Sequence, residues 1–120
     1  MRMTAAEFRA MSQAKPTKYG NEPVWIDGIR FESKAEGKRY CELKLLQAAG
    51  EITELELQPR FKLTVNGIEV CTYIGDFRYW HNHSKKRVCE DVKGVSTPAF
   101  RLKAKLFRAV FGYDIVLVKS

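Results

Sequence analysis

Apolar and polar residues alternate in short runs along most of this chain, and two longer stretches follow a helical period instead. Val24-Trp25-Ile26 and Ile29-Arg30-Phe31 flank Asp27-Gly28, a two-residue turn signal that predicts a small leading hairpin. Strand-like runs follow over Ile52 to Gln58 and Phe61 to Val65; Asn66-Gly67 turns the second of these into Ile68 to Trp80. The polar run His81 to Lys86 then joins Tyr73–Trp80 to Arg87–Lys93 as a further hairpin.

The helical stretches carry end signals. Ser33-Lys34-Ala35-Glu36 has capping-box spacing and opens a helix that runs to Ala49, where Gly50 provides a stop. Thr97-Pro98 supplies an N-cap and a first-turn proline for a second helix, continuing to Phe111 before Gly112. Ile115 to Val118 closes the chain as an apolar strand. The order predicts an α/β fold with a single mixed sheet flanked by helices, the last strand pairing in parallel through a right-handed crossover. A short helix over Thr4 to Met11 and a basic linker through Lys15–Lys18 form an N-terminal extension, residues 1–23, ahead of one domain over 24–120.

At 120 residues, 45% hydrophobic and 29% charged, the chain suits one soluble domain and has no apolar run long enough to span a membrane. The first residues lack a signal-peptide core, so a cytoplasmic protein is expected. Cys41, Cys71 and Cys89 show no C-x-x-C spacing and read as reduced thiols packed as small hydrophobes. Zinc held by Cys89, His81 and His83 would need an irregular spacing, with both histidines in an exposed turn.

Charge changes the picture more than composition does. Between Asp76 and Arg108 nine basic residues stand against three acids, so this stretch carries +6 of the net charge of +7. Arg78, Lys85, Lys86, Arg101, Lys105 and Arg108 thus become candidate contacts to a nucleic-acid backbone.

The three acids in that basic stretch are Asp76, Glu90 and Asp91. Asp91-Val92-Lys93 places a carboxylate and an ammonium on one face of a strand, with Val88, Glu90 and Val92 on the other. Asp76, on the neighbouring strand, could share Mg²⁺ with Asp91, since Mg²⁺ takes one or two protein carboxylates and keeps several waters. Lys93 could orient the attacking water or steady the phosphate. The plain alternative is an ordinary cross-strand charge cluster, because D-x-K recurs by chance. At about 100° per residue, Glu36 shares an inward helix stripe with Arg39, Tyr40, Leu43 and Leu46, so it is either a third site carboxylate or a capping-box acceptor. Lys103 lies within the apolar face formed by Ala99, Phe100, Leu106, Phe107 and Val110. It must snorkel or meet an anion, such as the site carboxylates or a phosphate.

The order of the Ser33–Glu36 helix, Tyr73-Ile74-Gly75-Asp76-Phe77-Arg78, Glu90-Asp91-Val92-Lys93-Gly94 and Phe100-Arg101-Leu102-Lys103 resembles the PD-(D/E)XK nuclease superfamily. Within it, the chain is similar to small phage- and prophage-encoded endonuclease-like proteins, over roughly residues 24 to 118. The resemblance implies an αβββαβ, restriction-endonuclease-like core and a Mg²⁺-dependent DNA endonuclease, with Mn²⁺ as substitute. A structure-selective, Holliday-junction-resolving role in phage DNA metabolism would fit. By position it implies Asp76, Asp91 and Glu36 as metal ligands, with Glu90 as rival acid, and Lys93 as the catalytic lysine. Gly75 stands where the superfamily name has Pro, and Gln58 resembles a Gln near the site in some relatives. A homodimer is plausible for cutting both strands, though no sequence feature encodes it. The alternative is a non-catalytic DNA-binding module on the same fold.

Overall fold

A computed structural model describes residues 22–92 and 97–119. The expected helix over Thr4 to Met11 and its linker lie outside the described residues, as do Lys93 and Gly94.

The described chain is mixed α/β. Strands β1 (Val24–Ile26) and β2 (Ile29–Phe31) form the leading hairpin, with Asp27 and Gly28 both in the left-handed region that its tight turn requires. Helix α1 (Lys34–Ala48) follows, capped by Ser33, whose hydroxyl accepts the Glu36 amide at 3.2 Å. Then come β3 (Ile52–Leu57), β4 (Arg60–Val65), β5 (Ile68–Ile74), β6 (Phe77–His81) and β7 (Lys86–Val92). Helix α2 (Pro98–Phe111) begins as its sequence signals require, with the Thr97 hydroxyl accepting the Phe100 amide at 3.0 Å and Gly112 closing it at φ 83°. Strand β8 (Val116–Val118) ends the described chain.

The strands do not form the expected single sheet. Four of them, in the order β3-β6-β7-β8, make a mixed sheet in which β8 runs parallel to β7, while β1-β2 and β4-β5 are separate two-stranded sheets. The expected strand from Ile68 to Trp80 is broken at Gly75-Asp76. Opposite that break stand Gln58, in the left-handed region at φ 49°, and Pro59, which has no amide hydrogen to give a ladder. The two segments bend together: the Gly75 amide donates to the Pro59 carbonyl at 3.0 Å, and the Gln58 amide to the Asp76 carbonyl at 2.9 Å. One long ribbon thus leaves the four-stranded sheet at this corner and continues as β4-β5.

The four-stranded sheet separates two cores. On one face Phe77, Tyr79 and Val92 pack with Tyr40 and Leu43 of α1, Ile52 and Phe31. On the other, Cys89 packs with Phe61, Leu63, Cys71 and Tyr73 of the bent ribbon and Phe107 of α2. Side-chain alternation along β7 produces this division, because successive residues point to opposite faces. Each fully buried Phe or Leu contributes roughly 1.5–3 kcal/mol. Gly37 lets β1 lie close against α1, since a Cβ there would meet Val24 Cγ2 at 2.7 Å and Ile26 Cδ1 at 2.9 Å. Cys71 and Cys89 are buried free thiols as expected; Cys41 is exposed, contrary to expectation, because it falls on the outer face of α1. No helix among the described residues is long and apolar enough to cross a membrane.

Candidate active site

The corner at Gly75-Asp76 brings Asp76 against the end of β7. Its amide donates to the Glu90 carbonyl at 3.0 Å and its Oδ2 accepts the Val92 amide at 2.7 Å, so the Asp76 carboxylate lies alongside the Asp91 peptide. Asp76 is buried, with 6% of its surface exposed. Asp91 is half-buried, and its Oδ2 accepts a 2.8 Å hydrogen bond from the Tyr73 hydroxyl at the end of β5. The Asp91 carboxylate meets Tyr73 on the α2 side of the sheet, and the charge of Asp76 also reaches Tyr73 and Cys89 there. Burial, then the charge of Asp91 with a smaller effect of Asp76, holds the Tyr73 hydroxyl well above its ordinary range. Burial and then Asp91 push the Cys89 thiol up to about 12. Tyr73 therefore stays a donor across the physiological range, and Asp91 stays oriented.

Gly75 is explained by the same corner. A Cβ at this position would stand 3.0 Å from Cys89 Sγ and 3.4 Å from the Tyr73 ring. A proline would also lose the amide bonded to Pro59.

Glu90 has a different fate. It lies on the α1 face, 1% exposed, and is gripped by Arg39 of α1: Nε donates to Oε1 at 2.8 Å and Nη2 to Oε2 at 2.6 Å. The Tyr79 hydroxyl also donates to Oε2. The hydrogen bond to Glu90 raises Arg39 above its already high value, so the guanidinium is always charged. A carboxylate held in this two-pronged grip, facing away from Asp76 and Asp91, is a structural anion. It is removed as a rival metal ligand. The inward stripe that carried Arg39 beside Glu36 held the signal: an inward arginine requires an anion, as an inward lysine does.

Glu36 is buried in the first turn of α1 and its amide is capped by Ser33. Among the described residues no group of three or more His, Cys, Asp and Glu side chains is gathered to hold a metal ion. The zinc arrangement is not formed either. Cys89 lies in the core, whereas His83 Nε2 sits 2.7 Å from Glu51 and His81 Nδ1 sits 2.9 Å from the Ser84 hydroxyl. Two adjacent carboxylates offer hard oxygen donors, a donor set that suits Mg²⁺ rather than zinc.

The basic candidates divide. Lys103 is 6% exposed, and its Nζ donates to the Thr72 carbonyl at 2.6 Å, so it ties α2 to β5 rather than presenting an ammonium to a phosphate. Burial lowers its pKa. Arg78 pairs with Glu56 across β3 and β6 and lies over the Phe61 ring at 5.2 Å, which commits it to the fold. Lys85, Lys86, Arg101, Lys105 and Arg108 remain on the exposed surface. Tyr73 went unrecognised in the sequence because it reaches Asp91 only through the corner, which no local pattern encodes.

Fold and site define a mixed α/β protein with a pair of adjacent carboxylates at a sheet corner beneath a basic helix. Residues 16–118 match a family described as "Protein of unknown function (DUF1064)", and the chain belongs to that family. No curated protein and no solved structure matches it.

Proposed function

We propose that this protein is a Mg²⁺-dependent DNA endonuclease of the PD-(D/E)XK type, with Asp76 and Asp91 as its metal ligands. The observation that carries the reading is the placing of these two carboxylates at one corner of the sheet, one held by the Val92 amide and the other by the Tyr73 hydroxyl. Fixed carboxylates of this kind lower the cost of assembling a metal site. The basic character of residues 76–108 and the order of elements around the corner support it further.

Bound Mg²⁺ would supply positive charge against the phosphodiester and acidify a water for in-line attack. Asp76 and Asp91 would hold the ion. The Tyr73 hydroxyl fixes the Asp91 carboxylate, and the Val92 amide fixes that of Asp76. Lys93, two residues beyond Asp91, is assigned to positioning the nucleophile or steadying phosphate charge. Glu36, buried in the first turn of α1, is the helix carboxylate of this assignment. Junction or other branched DNA from phage replication is the proposed substrate, Mn²⁺ the substitute ion, and a homodimer the form that would cut both strands.

A panel of supercoiled, linear, single-stranded and four-way-junction DNA, with and without Mg²⁺, tests the reading. Cleavage should require the metal and disappear in Asp76→Ala, Asp91→Ala and Lys93→Ala; retained activity in these variants sinks the site. The rival is a non-catalytic DNA-binding module, favoured by the exposed cations Lys85, Lys86, Arg87 and Arg108, which lie apart from the carboxylates around one cleft. Salt-sensitive binding without cleavage, unchanged in Asp76→Ala, would favour it.

A further inference from the structure

A second feature lies on the α2 side of the sheet. Trp80 of β6 and Tyr113, just past α2, line an open cleft of about 390 Å³ together with Lys85, Lys86, Arg87 and Arg108. Its volume falls within the roughly 300–1,000 Å³ of small-ligand sites. Among the described residues no carboxylate lines it, and the exposed Asp114 lies 3.6 Å from Arg108. Tyr113 is braced edge-on against Phe107, with ring centroids 5.1 Å apart. Lys85 adopts the left-handed conformation at φ 53°, uncommon for a residue with a side chain, in the loop that carries it to the cleft. Arg87 pairs with Trp80 across β6 and β7, four residues before Asp91. At about 3.3 Å per residue, the cleft therefore stands roughly 13 Å along the strand from the carboxylate pair.

We propose that this cleft binds a single-stranded segment of nucleic acid, with one unstacked base against Trp80 and Tyr113 and its flanking phosphates on the four cations. Ring faces within a cationic groove are the recurring means of holding single strands without sequence preference, because every base has a π-face and every linkage a charge. An acidic peptide would use the cations and leave the rings without a partner. At about 3.4 Å of rise per stacked base, the cleft is some four steps from the carboxylates, within reach of the strand to be cut. The proposal rests on the nucleic-acid reading above and narrows its substrate to DNA with an unpaired stretch near the cut.

Trp25 and Trp80 are the two tryptophans, so full-length Trp25→Phe makes Trp80 the sole reporter. Titrated with oligo(dT) in EDTA, its fluorescence should be quenched, and the affinity should fall as salt rises. Wild-type binding, followed by anisotropy of a labelled oligonucleotide, should weaken about tenfold in Trp80→Ala. Exposed Lys86→Glu with Arg108→Glu gives the same loss without touching the core. Absence of quenching at low salt, unchanged affinity in folded variants, or equal displacement by poly-glutamate would overturn the proposal. Parallel cleavage assays in Mg²⁺ keep the two readings apart. Quenching without cleavage retains the cleft and sinks the nuclease; cleavage without quenching does the reverse.

Discussion

Glu90 and Asp91 are neighbours in sequence with the same charge, yet β-strand alternation sends them to opposite faces and opposite duties. Asp91 meets Tyr73; Glu90 meets Arg39 and Tyr79. Arg39→Ala would leave a buried carboxylate without its counter-ion and should cost about 3–5 kcal/mol, read as a lower urea midpoint. A loss under about 1 kcal/mol would mean that Glu90 is not the structural anion described. Tyr73→Phe should act differently, because it removes the donor that orients a proposed ligand while keeping the ring in the core. Loss of such a supporting partner typically costs about 10–100-fold in metal affinity or activity. The Mg²⁺ needed for half-maximal cleavage should rise, with DNA binding in EDTA unchanged; an unaltered metal requirement would remove Tyr73 from the site.

At the level of elements, local chemistry made much of the fold legible. Asp27-Gly28 and Asn66-Gly67 turns, the Ser33 and Thr97 caps, Pro98 and Gly112 all sit where their backbone preferences place them. The corner was not legible, because Ile68 to Trp80 keeps an unbroken strand-like composition and the bend is made by the opposing Gln58-Pro59. Lys103 showed its anomaly in the sequence, but its partner is the backbone carbonyl of Thr72, which no pattern of side chains could reveal. Of the candidate site, the carboxylate pair was legible as a motif; the supports of that pair were not. Gly75→Ala tests the corner directly. Crowding Cys89 Sγ in a packed core should cost about 1–3 kcal/mol. Because the strain falls between Tyr73 and Asp76, cleavage should also drop at temperatures where the variant is fully folded. A melting temperature equal to wild type would show that the corner has more room than its geometry implies.

The two cores and the site also share one consequence for the whole molecule. Cys89, Tyr73 and Tyr79 are all held protonated by burial, reinforced at Cys89 and Tyr73 by Asp91 and at Tyr79 by Glu90. In the unfolded chain these groups ionise near their ordinary values of 9.0 and 10.0. Folded-state pKa values above unfolded ones mean that the unfolded state binds fewer protons in the alkaline range, so stability present at neutral pH falls as pH rises. The urea midpoint should decline between about pH 9 and 12, and Tyr73→Phe should flatten part of that decline. A midpoint that holds or climbs across this range would contradict the burial of these groups.

In the proposed function two carboxylates at a sheet corner, and not their equally charged neighbour, hold a metal against DNA. Cleavage of supercoiled and four-way-junction DNA by wild type, Asp76→Ala, Asp91→Ala and Glu90→Gln, with Mg²⁺ or EDTA, tests it most directly. Wild type should cut only with the metal present, neither aspartate variant should cut, and whatever fraction of Glu90→Gln remains folded should cut. Cutting in EDTA, or by a folded Asp91→Ala protein, would contradict it.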